Sequence, residues 1–238
     1  MEGLKTLILA GGSGTRLFPL SRTLFPKQLI PLFQNESLFQ KTVQRALLFS
    51  EPEEITIVTN RVHKFLVRDQ LGALCDRCTI LEEPEAKNTL PAIYYGISRI
   101  AEEDESGQVA ILPSDHFITA DEGYRDAIRA AEELARERLV VFGVKPDSPQ
   151  TGYGYIRPGS PVGPGFSVDA FVEKPDRATA ERYVRDGYVW NSGMFVFDSG
   201  IFLEECRRHA ADVVAAFESD TPEEAFRRSP KISVDYGI

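Results

Sequence analysis

The chain has 238 residues, 42% of them hydrophobic and 26% charged, the proportions of a globular domain long enough to bury a sizeable core. A net charge of −9 excludes the basic face that duplex nucleic acid needs, so an anionic ligand has to be held by a few local cations. Apolar runs such as residues 6–10 and 109–112 fall far short of the ~20 residues of a membrane span.

No signal-peptide pattern opens the chain, and three cysteines cannot build a disulfide framework, which together predict a cytoplasmic protein. Short β-rich runs alternate with amphipathic segments, the pattern of an α/β fold with a largely parallel sheet. Lys5 to Ala10 predicts the first strand. Leu38 to Phe49 predicts a helix, introduced by a capping box of Ser37 and Gln40. Ile55 to Thr59 reads as a strand, Arg61 to Gly72 as a helix and Thr79 to Leu81 as a strand. Thr89 to Glu103 follows as a helix with Pro91 in its first turn. Val109 to Leu112 is a buried strand, 122–137 a helix and Leu139 to Val144 a strand. Consecutive β-α units predict right-handed crossovers and a ligand crevice beyond the carboxyl ends of the strands.

The pattern changes after Lys145. Residues 151–156 and 168–173 predict two strands joined by a surface loop, RPGSPVGPGF, rich in proline and glycine. Helices over Ala178 to Asp186, 200–208 and 222–228, with a strand at Met194 to Phe197, complete one domain over 1–238. The acidic runs at 51–54 and 102–105 read as solvated faces. Cys75 and Cys78 form a CxxC, but a zinc site would need a second ligand pair, and His63, His116 and His209 are scattered. A small apolar pair where a helix runs into a strand is the simpler expectation.

Chemistry concentrates in residues 7–28, LILAGGSGTRLFPLSRTLFPKQ. Gly11, Gly12 and Gly14 follow a buried strand, where the missing Cβ lets backbone amides approach a phosphate. The spacing is neither the dinucleotide fingerprint nor a Walker A. Arg16 and Lys27 flank the loop and suit a triphosphate, the first as a fork and the second as a point charge. Asp115 lies just past the apolar strand 109–112, where a carboxylate could hold Mg²⁺, although a turn or capping role stays open. Asp235 follows alternating apolar positions Ile232 and Val234, which puts its side chain on the opposite face of a short extended run.

The stretch GGSGTRLFPLSRTLFPKQ resembles the signature of the sugar-phosphate nucleotidyltransferases, and within them the mannose-1-phosphate guanylyltransferases. The similarity continues in order through EPEAKNTLPAI (83–93), LPSDH (112–116), FGVKPDSPQTGYGYI (142–156), FVEKP (171–175), GYVWNSGMFVF (187–197) and ISVDYGI (232–238). It implies a Rossmann-like nucleotidyltransferase fold, a mixed and mostly parallel central sheet flanked by helices. It also implies a reaction in which a sugar 1-phosphate oxygen attacks the α-phosphorus of a nucleoside triphosphate. With two polyanionic reactants and no protein nucleophile, catalysis reduces to neutralising and aligning charge.

By the same resemblance, Arg16, Lys27, Asp115 and Asp235 form the catalytic set, with Asp115 and Asp235 holding Mg²⁺. The nucleotide would be met by Leu9, Ala10, Gly11, Gly12, Gly14, Thr15, Arg16 and Lys27, and its base and ribose by Lys87, Asn88 and Thr89. Capping of a helix explains Asn88 equally well. The sugar phosphate would be met by Gly152, Tyr153, Gly154, Glu173, Lys174, Asn191, Ser192 and Gly193, with Trp190 a packing residue. Lys87 stands where the guanylyltransferases usually carry arginine, and Phe18 where they usually carry tryptophan.

The implied function is transfer of GMP from GTP to α-D-mannose 1-phosphate. The alternatives are another hexose 1-phosphate or nucleoside triphosphate, or a regulatory subunit that binds a sugar nucleotide without turning it over. No nucleic-acid or membrane partner is expected, and a homo-oligomer stays open. Family members continue past the DY motif, so the resemblance also implies a catalytic domain truncated at its C-terminus.

Overall fold

The computed structural model describes residues 3–12, 21–22, 25–33, 35–103, 107–119, 121–219 and 221–238. β1 (Lys5–Leu9) is central because it is apolar on both faces: Leu7 packs into one buried cluster and Ile8 into another on the other side. Such a strand needs cover on both sides, the usual condition of a parallel sheet. A small hairpin, β2 (Pro31–Phe33) and β3 (Glu36–Ser37), leads into α1 (Leu38–Ala46), whose start is the expected capping box. Gln40 N–H donates to Ser37 Oγ at 3.1 Å, and Ser37 N–H donates to Gln40 Oε1 at 3.0 Å. β4 (Ile55–Asn60), α2 (Lys64–Leu71), β5 (Thr79–Glu83), α3 (Thr89–Glu103), β6 (Gln108–Pro113), α4 (Glu122–Ala135) and β7 (Val140–Val144) follow. The helix expected over 61–72 divides into a 3-10 turn at Arg61–His63 and α2, which Gly72 closes with φ 55°.

After β7 come β8 (Gly154–Val162), β9 (Gly165–Glu173), α5 (Arg177–Arg185), β10 (Val189–Asp198), α6 (Ser199–His209), α7 (Ala211–Phe217), α8 (Pro222–Arg228) and α9 (Val234–Gly237). The mixed sheet runs β5-β4-β1-β6-β10-β8-β9, with β7 also paired to β10. β5, β4, β1 and β6 are mutually parallel, and the remaining pairs of this sheet are antiparallel. α1, α2 and α4 cover one face, while α3, α6 and α7 cover the other.

Three local expectations are corrected. Most of RPGSPVGPGF is strand, and only residues 163–164 turn. Pro158 and Pro161 are tolerated there because β10 pairs β8 only at Tyr155 and Ile156, and two register shifts against β9 absorb them. The segment carrying Asp235 is one helical turn, not extended chain, because Val234 is buried and its N–H is received by Thr89 Oγ1 at 3.0 Å. α7, which has no counterpart in the sequence-based expectation, is set off from α6 by a non-helical backbone at Ala210.

Cys75 and Cys78 are unpaired and pack with the α2-side cluster, and burial pushes the Cys78 thiol up to about 11. Among the described residues no helix is long and apolar enough to cross a membrane.

Candidate active site

Strand order reverses between β1 and β6, since β1 leads outward to β4 and β5 before the chain returns to β6 on its other side. Ligand crevices of open α/β sheets form at such a point. A cleft of about 690 Å³ lies here, reached by Gly11 and Gly12 after β1, by Asn88 and Thr89 at the start of α3, and by Ser114 and Asp115 after β6. β10 opens it further. At Phe195 this strand pairs with Ile111 of β6, but at Trp190 it pairs with Tyr155 of β8. The swing occurs across a register shift between Asn191 and Phe195, where Gly193 adopts φ 70° and lines the cleft.

Lys27 reaches the cleft from a 3-10 turn, Lys27–Leu29. Its Nζ lies 3.6 Å from Asp115 Oδ2 and donates to the Asp115 carbonyl at 3.4 Å. Both contacts are long and both side chains are partly exposed, so the cation is free to exchange them for a phosphate oxygen. The adjacent Gln28 is buried and donates from Nε2 to the Gly12 carbonyl at 2.7 Å and the Ala10 carbonyl at 3.4 Å. It thereby ties the described part of the glycine loop to the turn that carries Lys27. Burial holds His116 below the usual histidine range, and its Nε2 stands 3.8 Å from Asp115 Oδ1, too far for a hydrogen bond.

Asp235 faces the cleft from α9. Asn191 Nδ2 donates to its Oδ1 at 2.8 Å, while Asn191 Oδ1 accepts from Gly193 N–H at 2.9 Å, so one amide fixes both the carboxylate and the bulge. Burial pushes the Asp235 pKa up; the Asn191 bond and the Lys174 charge oppose this, and the charge of Glu173 adds to it. Glu173 pairs with Lys174 and lies against Gly154, where a Cβ would overlap its carboxylate. Lys174 sits at φ 47°, a left-handed conformation unusual for lysine, held by its N–H donating to the Tyr153 carbonyl at 3.2 Å. The Tyr153 ring meets Trp190 edge-on at 5.0 Å.

Glu83 is the residue sequence reasoning missed. It ends β5, lines the cleft and is 4% exposed. Burial pushes its carboxyl up to about 7, against one long hydrogen bond from Lys87 N–H to Oε1 at 3.4 Å. A Cβ on Gly11 would overlap the Glu83 carboxylate in its present position, so glycine here leaves room for that carboxylate against the loop. The available signal was its place as the first residue of EPEAKNTLPAI.

Of the residues singled out by sequence, Leu9, Gly11, Gly12, Lys27, Asn88, Thr89, Asp115, Gly193 and Asp235 line this one cleft. Gly154, Glu173, Lys174 and Asn191 cluster beside Asp235. Ser192 turns its hydroxyl to Met194 N–H at 3.1 Å. Ala10 is fully buried, its N–H bonded to Val58 O at 2.8 Å. Lys87 does not line the cleft and pairs with Glu85 at 3.2 Å. Gly152 does not line it either. Gly14, Thr15, Arg16 and Phe18 lie outside the described residues.

A doubly wound sheet whose switch-point cleft carries a glycine loop, a lysine and three carboxylates defines a nucleotide-handling α/β protein. The chain belongs to the nucleotidyl transferase family, whose model matches residues 5–226. It is 40% identical over 258 residues to the mannose-1-phosphate guanylyltransferase ManC of Salmonella typhimurium, covering 99% of this chain and 53% of the relative. It is 38% identical to the xanthan biosynthesis protein XanB of Xanthomonas campestris, covering 100% of this chain and 54% of that protein. The chain thus spans about half the length of the curated relatives it matches. Among solved structures, one from Thermus thermophilus described as a mannose-1-phosphate geranyltransferase superposes with a TM-score of 0.92 at 36% identity, over 99% of this chain and 70% of that one. A UDP-glucose pyrophosphorylase complexed with UDP-glucose shares the fold at TM-score 0.61 and 19% identity, over 84% and 78% of the two chains.

Proposed function

We propose that the chain transfers GMP from GTP to α-D-mannose 1-phosphate, releasing pyrophosphate. The observation that carries this reading is the convergence of Gly11, Gly12, Lys27, Asp115 and Asp235 on one cleft, with Asn191, Glu173 and Lys174 beside it. The names of the ManC relative and its kind support the choice of substrates. An oxygen of the sugar phosphate forms a bond to the α-phosphorus as the bond to the β-phosphate oxygen breaks, and pyrophosphate leaves with those electrons. Lys27, together with Arg16, neutralises the triphosphate, and the amides of the glycine loop receive its oxygens. Lys174 pairs with the sugar phosphate once it turns away from Glu173, and Glu173 and Asn191 accept and donate to sugar hydroxyls. Glu83, when ionised, offers two acceptor oxygens to the adjacent N–H donors of guanine, a donor pair that adenine does not present.

The donor set suits Mg²⁺. That ion is ordinarily held by one or two carboxylates and substrate phosphates, and Asp115 and Asp235 are two of the three carboxylates that line the cleft. Asp235 spends one oxygen on Asn191 and keeps the other, and the described residues form no three-residue cage of a kind that would hold a metal by protein alone. Bound there, Mg²⁺ would supply charge stabilisation for the phosphates as they transfer. The reaction belongs in the cytoplasm, where the unpaired cysteines stay reduced.

Pyrophosphate release over a matrix of nucleoside triphosphates and hexose 1-phosphates tests the reading. GTP with mannose 1-phosphate is expected to dominate. Turnover confined to a pyrimidine triphosphate would remove the guanylyl assignment and keep the reaction class, while GDP-mannose binding without turnover at saturating Mg²⁺ would make the chain a sensor.

A further inference from the structure

The C-terminal turn that carries Asp235 is strapped to the start of α3. Ile232 N–H donates to the Lys87 carbonyl at 3.1 Å, Leu90 N–H to the Ile232 carbonyl at 3.2 Å, and Val234 N–H to Thr89 Oγ1 at 3.0 Å. Val234 is the first residue of α9, and Ser233, at the capping position before it, makes no side-chain cap of its own. Thr89, far away in sequence, therefore satisfies the first of the orphan amides at the start of the turn. Gly237 completes the seat, since a Cβ there would overlap the Leu90 side chain. Asp235 is thus gripped twice, by Asn191 on its carboxylate and by Thr89 on the backbone one residue earlier.

We propose that Thr89 is a positioning residue for Asp235: its hydroxyl caps the turn carrying that carboxylate and so fixes the sugar-phosphate side of the cleft to the segment facing the nucleotide. The hydroxyl oxygen spent on Val234 is then a structural acceptor, and Thr89 acts on the reaction through Asp235. The inference rests on the proposed transferase reading for its kinetic consequence, but not for the cap itself. Nothing local predicts it, because Thr89 and Val234 are separated by 145 positions.

The test uses Thr89→Val, which keeps the shape and removes the acceptor, and Thr89→Ser, which keeps the acceptor. Hydrogen exchange on the peptide spanning 232–238 reads the cap without any substrate. Faster exchange of the Val234 amide is expected in Thr89→Val and wild-type protection in Thr89→Ser. Kinetically, Thr89→Val is expected to lower kcat about tenfold, the scale of loosened positioning near chemistry, and Thr89→Ser to recover it. Metal-free GTP affinity by calorimetry is expected to stay within about twofold, since without the metal it does not depend on where Asp235 points.

Unchanged Val234 exchange in Thr89→Val would overturn the cap. Faster exchange with a tenfold loss of GTP affinity and intact kcat would overturn the positioning role and make Thr89 a nucleotide ligand. Absence of turnover in the wild-type chain with every substrate pair would instead count against the transferase reading, and the exchange result would still decide the cap.

Discussion

The parallel and antiparallel halves of the sheet hold their functional groups in different ways. In β1, β4 and β6 nearly every side chain is enclosed, with Leu7, Ile8, Ile55, Ile57, Val109 and Ile111 fully buried beneath helices on both faces. β8 and β9 are half-covered, and Phe166 and Val168 stand exposed on the hairpin. Gly11, Glu83 and Asp115 hang from the ends of the parallel strands, and Lys27 comes from a turn tied to them by Gln28. The groups near β8, β9 and β10 have no such floor and are fixed by one another: Asn191 to Asp235, Glu173 to Lys174, Lys174 to Tyr153. The groups at the ends of the parallel strands owe their geometry to the core, whereas those around Asp235 owe it to a network of side chains that hold one another.

The largest expected effect is at the rim of the parallel half. On the proposed function, Asp115→Asn is expected to lower kcat about 10³-fold by removing a charge that would hold the metal, against about tenfold for Asn191→Ala, which loosens Asp235 and removes one sugar contact. Steady-state kinetics at saturating Mg²⁺ measures both, and equal losses would erase the contrast. Stability should divide along the same line. Ile57→Ala, at a fully enclosed position, is expected to cost about 3 kcal/mol, whereas Val168→Ala on the exposed hairpin should stay within about 0.5 kcal/mol, both read from urea unfolding.

Glu83 gives the enclosed half a pH signature. Burial pushes its carboxyl up to about 7 from 4.5, so between these values the folded chain holds a proton that the unfolded chain has lost. Stability from this group is therefore full below about 4.5, falls as pH rises, and the cost is complete above about 7. Glu83→Gln keeps an acceptor for Lys87 N–H and removes the titration. It is expected to gain on wild type by about 3 kcal/mol between the acidic and alkaline ends of that window. Parallel melting profiles of the two proteins against pH would contradict it.

The enclosed half is also the half that the sequence makes readable. Its strands are short apolar runs, α1 begins at a capping box of adjacent residues, and Lys27 and Asp115 follow directly from motifs at strand ends. Reading β5 only to Leu81 hides Glu83, because the strand is two residues longer and its end is set by pairing with Asn60 of β4. The hairpin is hidden for another reason: proline and glycine report turn chemistry, while strand pairing is decided by β10 leaving β8 after Ile156. α9 is hidden because two alternating apolar residues fit a turn as well as a strand, and its cap comes from Thr89. Local signals reach what local residues decide, and the surroundings of Asp235 are mostly decided at long range.

Thiol chemistry probes the same contrast without touching the site. Cys78 sits in the cluster that contains Ile57, and Cys206 in the one beneath α6; burial pushes their thiols up to about 11 and about 12. Few thiolates at about pH 8 and a closed path should make both react at least about 100-fold more slowly with a disulfide reagent than half-buried Cys75. Ile57→Ala leaves a cavity in the Cys78 cluster and should raise the Cys78 rate by lowering the free energy of local opening, while Val168→Ala should leave it unchanged. Mass-resolved labelling of each cysteine distinguishes the cases. Rapid Cys78 labelling in the wild-type chain would mean that the enclosed half opens readily on its own, and that the groups at its strand ends are no more rigidly held than the hairpin.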